Sequence, residues 1–208
     1  MDIQKQFNNC IKKNDFKKVK TLIDKVDPSA NENWAICVAS ELGYLKIVKL
    51  LLNDSRVDPA AQNNHAFLFS IIEGHFKIVK LLLKDKRVNP AIKDNSPLMY
   101  ACERGYVKIV KLLLKDNRVN PADTNNLAIF IASQNERIKI VEVLLKDKRV
   151  NPADNDNFAI NCAFRYKNNE LINILWKDKR VKNTLEKDNK ELYNELIKND
   201  IKEKVEDF

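Results

Sequence analysis

Only three glycines occur in 208 residues, Gly43, Gly74 and Gly105, so neither a G-x-x-x-x-G-K phosphate loop nor a G-x-G-x-x-G turn can be assembled. Histidine is confined to His65 and His75. Neither has an acid and a nucleophile at a spacing that catalysis uses, so the chain reads as no enzyme, and neither a cofactor nor a metal is expected. The four cysteines, Cys10, Cys37, Cys102 and Cys162, form no C-x-x-C pair and share no register. That speaks against a zinc site or a disulfide framework and for reduced, mostly buried thiols. A run of eighteen apolar residues is also missing, and the start Met1-Asp2-Ile3-Gln4-Lys5 lacks the apolar segment of a secretory signal. The expectation is a chain with no membrane contact, cytoplasmic and monomeric.

What the chain does have is a period. The glycines stand 31 apart (74−43 and 105−74), as do Val26, Val57, Val88, Val119, Val150 and Val181. Pro28, Pro59, Pro90, Pro121 and Pro152 keep the same interval, and so do Asn33, Asn64, Asn95, Asn126 and Asn157. A fixed period of this size means one supersecondary unit recurring, each copy too small to bury its apolar face except against its neighbours. The unbroken interval predicts one domain over 1–208, with an amino-terminal cap at 1–25, five copies over 26–180 and a carboxyl-terminal cap at 181–208.

In the copy from Val57 to Arg87, proline and asparagine mark a bent turn through Gln62-Asn63-Asn64. A first helix is predicted from His65 to Glu73 with Ala66, Phe67, Phe69 and Ser70 inward, ended by Gly74 in the left-handed conformation. A second is predicted from His75 to Lys84 with Ile78, Val79, Leu81, Leu82 and Leu83 as an apolar stripe. Helices this short are marginal alone, so stacking must supply the stability. Ile47, Ile78, Ile109, Ile140 and Leu171, with Leu51, Leu82, Leu113, Leu144 and Leu175, form the spine for it. In the first cap Phe7 and Cys10 point inward and Asn14 takes the glycine position. In the last, a helix is expected around Glu191 to Lys198, fraying at its end. Glu136 and Lys167 replace glycine in copies four and five, at a cost of about 1 kcal/mol each.

The segment Ser96-Pro97-Leu98-Met99-Tyr100-Ala101-Cys102-Glu103-Arg104-Gly105-Tyr106, followed by Ile109-Val110-Lys111-Leu112-Leu113, resembles the ankyrin-repeat signature T-P-L-H-x-A-A-x-x-G-H and its I-V-x-x-L-L sequel. Glu73-Gly74-His75 keeps the glycine and histidine, and the spacer and final turn are shortened to give a 31-residue unit. Asn126-Leu127-Ala128-Ile129 and Asn157-Phe158-Ala159-Ile160 resemble the variant found in ankyrin arrays of amoeba-infecting giant viruses. The resemblance implies an all-α solenoid of antiparallel helix pairs joined by turns, without enzymatic activity, that binds another protein on its concave face. By the same resemblance the surface comprises variable turn tips and first-helix positions: Trp34, Glu41, His65, Ile72, Lys93, Asp94, Arg104, Leu127, Asn155, Asp156, Phe158, Arg165 and Tyr166. Trp34, Phe158 and Tyr166 suit anchors, since aromatic side chains dominate interface energies. Packing beside the helix start is an equal reading for Trp34 and Phe158.

The formal charge of +8 raises a different class of partner. Lys46, Lys77, Lys108 and Lys139 share one helical position, Lys49, Lys80 and Lys111 another, and Arg56, Arg87, Arg118, Arg149 and Arg180 a turn position. This basic ribbon offers the alternative of nucleic-acid or polyanion binding. A bias toward Lys, Asn and Ile, an aspartate two residues before each arginine and the lack of interleaved aromatics weigh against nucleic acid. A spacer within a larger assembly is a third possibility.

Overall fold

The computed structural model describes residues 2–206, with side chains up to residue 198. Among the described residues there are fourteen α-helices and no strand. They fall into two compact units, one ending at Val119 and one beginning at Asn120.

The first unit contains α1 (Ile3–Lys12), α2 (Phe16–Leu22), α3 (Ala30–Glu41), α4 (Leu45–Leu52), α5 (Ala61–Ile72), α6 (Phe76–Leu82), α7 (Ile92–Arg104) and α8 (Val107–Leu113). Each pair is antiparallel because a left-handed residue, Asn14, Gly43 or Gly74, ends the first helix of three of the pairs and Gly105 that of the fourth. First helices stack on first helices, α1 on α3 on α5 on α7, and second on second, α2 on α4 on α6 on α8. The two layers enclose Ile47, Ile78 and Ile109 with Leu51, Leu82 and Leu113, all at most 1% exposed. In the second unit, α9 (Asp123–Gln134) and α10 (Ile138–Leu145) precede α11 (Asp154–Arg165) and α12 (Asn169–Trp176) in the same two-layer arrangement. The unit is completed by α13 (Lys179–Asp188) and α14 (Lys190–Glu206).

Two expectations are corrected. In α6, Ile78, Val79 and Leu82 are buried while Leu81 and Leu83 stay half-buried, because a 3.6-residue turn cannot aim five of six successive side chains at one neighbour. In α5 the inward set is Ala66, Phe67, Ser70 and Ile71; Phe69 is half-buried and stacks instead on the His65 ring at 4.1 Å. The copy beginning at Val181 has no turn like the others. Asn183 stands where proline would, and the chain enters α13 directly, with the Asp178 carboxylate capping it by accepting from the Arg180 N–H (2.9 Å). The helix expected at Glu191 to Lys198 lies within α14. The end expected to fray extends beyond the residues whose side chains are described.

The remaining local readings hold. Phe7 and Cys10 are buried, and Asn14, Glu136 and Lys167 adopt φ of 55°, 53° and 53° at the glycine position. All four cysteines are free and buried, and burial pushes the Cys37 and Cys102 thiols up to about 11 and about 12, which leaves them protonated and inert.

Candidate protein-binding surface

Each turn begins with an Asx-Pro step. The Asp58 carboxylate accepts from the Ala60 N–H (3.0 Å), and Asn89 and Ala91 repeat the bond at 3.0 Å. Three successive residues then take left-handed backbone before the right-handed helix starts: Asn31-Glu32-Asn33, Gln62-Asn63-Asn64, Lys93-Asp94-Asn95, Thr124-Asn125-Asn126 and Asn155-Asp156-Asn157, all with φ between 48° and 63°. Asn and Asp tolerate this conformation, and they fill every position except Glu32, Gln62, Lys93 and Thr124. Three such residues in a row are costly, so other contacts must hold the turn.

The third residue of the tip provides one at Asn33, Asn64 and Asn126. The Asn33 side-chain oxygen accepts the Asp58 N–H at 2.7 Å, Asn64 accepts from Asn89 at 2.8 Å, and Asn126 from Asn151 at 2.7 Å. The amides of Asn33, Asn64 and Asn126 thus fasten their tips to the turn of the next copy. The first two residues of every tip stay exposed. Some also bridge tips: the Gln62 amide donates to the Glu32 carbonyl (3.0 Å), and Asn155 to that of Asn125 (2.9 Å).

The tips and first helices place the candidate residues as follows. Lys93, Asp94, Asn155 and Asp156 are exposed tip residues, and Arg104, Arg165 and Tyr166 are exposed at first-helix ends. Tyr166 is 47% exposed. Ile72 and Leu127 are half-buried. Glu41 and His65 are brought together, carboxylate to Nε2 at 3.9 Å. Trp34 is half-buried under the Lys12 ammonium, 5.6 Å from its ring, beside an open groove of about 440 Å³ lined in part by Asn8, Asn9 and Asn31. Phe158 stacks on Phe130 at 3.8 Å and is half-buried.

The structure also accounts for residues whose roles the sequence did not disclose. Arg87 grips Asp85 through Nε (3.0 Å) and Nη2 (2.8 Å) while Nη1 donates to the Val57 carbonyl at the start of the same copy (3.0 Å). Arg56 reaches Val26, Arg118 reaches Val88 and Arg180 reaches Val150 in the same way. These arginines are clamps that tie the end of a copy to its start, rather than a free basic ribbon. The guanidinium hydrogen bond holds each partner carboxyl, Asp54, Asp85, Asp116 and Asp178 among them, below its ordinary value. The fixed two-residue Asp-x-Arg spacing was the available signal. It was legible as a pair, but its third contact lies 30 residues away.

Among the described residues no group of His, Cys, Asp and Glu could hold a metal ion, and no helix is long and apolar enough to cross a membrane.

The family model for ankyrin repeats (3 copies) matches residues 36–125, 67–156 and 98–187, each placement shifted by 31 from the last (67−36; 98−67). The chain belongs to the ankyrin-repeat family. No curated protein matches it. Ankyrin repeats are protein–protein interaction modules, and proteins built from them are typically non-enzymatic scaffolds. In this ankyrin chain the first two residues of every tip are exposed and vary from copy to copy, while Asn33, Asn64 and Arg87 at the recurring positions hold neighbouring turns together.

Proposed function

We infer that this ankyrin-repeat chain is a scaffold that recognises another protein through its tips and first helices, acting as one repeat array over 1–208. The observation that carries the reading is the division of labour within each copy. Asn64 and Asn126, third in their tips, are buried and bonded to the next turn, whereas the first two residues of every tip are exposed, differ from copy to copy and sit on a backbone in an unusual conformation. A surface held this rigidly loses little conformational entropy on binding, and a standard interface would bury about 800 Å² of it. The candidate contacts are Lys93, Asp94 and Arg104 in the first unit and Asn155, Asp156, Arg165 and Tyr166 in the second, with Trp34, Glu41, His65, Ile72, Leu127 and Phe158 as partly buried neighbours.

The resemblance to giant-virus arrays supports a viral protein acting as a monomer on a host protein in the cytoplasm. The alternative, a polyanion along the basic ribbon, loses support because Arg56, Arg87, Arg118 and Arg180 already spend their donors on aspartate and backbone oxygens.

Affinity capture with the wild type beside a Lys93→Glu, Asp94→Lys, Arg104→Glu variant tests the reading. One stoichiometric protein present with the wild type and absent with the variant, at unchanged helicity, is expected. Equal capture by both, or by neither, contradicts it.

A further inference from the structure

The second helices of the first unit carry a basic face that the concave-side reading does not use. Across α2, α4, α6 and α8 every charged residue is a lysine, and no acidic residue interrupts them. The second unit differs at the same register: Glu142 stands where Lys49, Lys80 and Lys111 do, and the column of Lys46, Lys77 and Lys108 continues with Lys139 but then turns to Glu170. A compositional drift toward lysine acting along the whole chain would load every copy alike, so this concentration belongs to one face of one unit. The nearest carboxylates do not neutralise it, because Asp54, Asp85 and Asp116 are held by Arg56, Arg87 and Arg118 at 2.6–2.8 Å.

The face is also not purely polar. Between α6 and α8 runs an open groove of about 230 Å³, lined by Lys80, Leu83, Lys84, Leu112, Lys115 and Asp116. Leu83 and Leu112 are half-buried, and Lys80, Lys84 and Lys115 are exposed around them. The volume is below the roughly 300–1,000 Å³ of small-molecule sites, and the groove is a furrow on a helix layer rather than a cavity. Half-buried leucines give apolar area to a partner, and a ring of lysines selects that partner's charge.

We propose that this groove is a second docking surface, for an acidic protein segment that sets leucine-like side chains on Leu83 and Leu112 and carboxylates against Lys80, Lys84 and Lys115. Nucleic acid fits it less well. Phosphate recognition favours arginine forks, the arginines on this side are locked into clamps, and a phosphate backbone makes no use of the leucines.

The test uses the full chain and a labelled helical peptide of Glu, Ala and Leu with its leucines on one face. Saturable binding that weakens with salt is expected, and it should fall about tenfold or more in a Lys80→Glu, Lys84→Glu, Lys115→Glu variant. A charge-matched Lys139→Glu, Lys146→Glu, Lys148→Glu variant should bind as the wild type does. The neutral Lys80→Gln, Lys84→Gln, Lys115→Gln variant should lie between. Absence of saturable binding, equal loss in both charge-reversed variants, or binding as tight by a leucine-free acidic peptide, duplex DNA or phosphatidylserine vesicles overturns the proposal.

Discussion

The His75 ring occupies the space that a side chain on Gly43 would need: a Cβ there would lie 2.7 Å from His75 Cε1. The same ring donates from Nε2 to the Glu41 carbonyl at 2.9 Å, closing the end of α3 with a residue 34 positions later. Gly74 stands in the same relation to Tyr106, whose hydroxyl donates to the Ile72 carbonyl (3.4 Å). Where glycine is replaced by Glu136 the ring is gone as well, and Asn168 there donates its amide to the Glu136 carboxylate at 2.8 Å.

Gly43→Ala is therefore expected to cost about 2 kcal/mol, from a side chain at φ +78° together with loss of the His75 bond. In a His75→Ala background the same change should cost about 1 kcal/mol, because only the backbone part remains. Urea unfolding of the four proteins checks this; equal costs in both backgrounds would show that the ring does not constrain Gly43. The converse change, Lys167→Gly at φ 53°, should stabilise by up to about 1 kcal/mol.

The buried asparagines give a graded comparison. Asn64 satisfies the Asn89 N–H, whereas the Asn157 side-chain oxygen is buried with no hydrogen-bond partner among the described residues, since α13 replaces the turn it would have fastened. Asn64→Ala should cost about 1–3 kcal/mol by leaving a backbone donor unpaired, and Asn157→Ala clearly less. Denaturant midpoints of the two variants decide it.

How far the sequence disclosed this depends on how far along the chain a residue's partner lies. Val57, Ile78, Leu82 and Gly74 were legible because periodicity and φ preference are local. The roles of Arg87, Asn64 and His75 were not, because each reaches across roughly one period to a backbone atom, and a backbone atom leaves no mark in sequence. The left-handed tips were read only as bends, since Lys93 and Thr124 carry no intrinsic preference for that conformation. For the candidate surface, the tips could be chosen by their variability. The half-burial of Trp34 and Phe158 depends on Lys12 and Phe130, residues in neighbouring copies.

The clamps predict the response to acid. In the folded chain the hydrogen bond from the following arginine holds the carboxyls of Asp54, Asp85, Asp116, Asp147 and Asp178 below their ordinary value. The unfolded chain therefore binds more protons in this range. The stabilisation is complete above the ordinary carboxylate value and is lost as pH falls below about 4 through the folded values. An Asp54→Asn, Asp85→Asn, Asp116→Asn variant should show a shallower loss of stability below pH 4 than the wild type, and no change in slope between about pH 5 and 7. Parallel acid profiles would contradict the clamp.

The most direct measurement is amide hydrogen exchange on the complex of the full chain with its captured protein. Protection gained at residues 62–64 and 93–95 and in the adjoining turns of α5 and α7 is the expected result. Protection confined to α4, α6 and α8, with the tips exchanging as in the free chain, would contradict recognition by the tips and first helices.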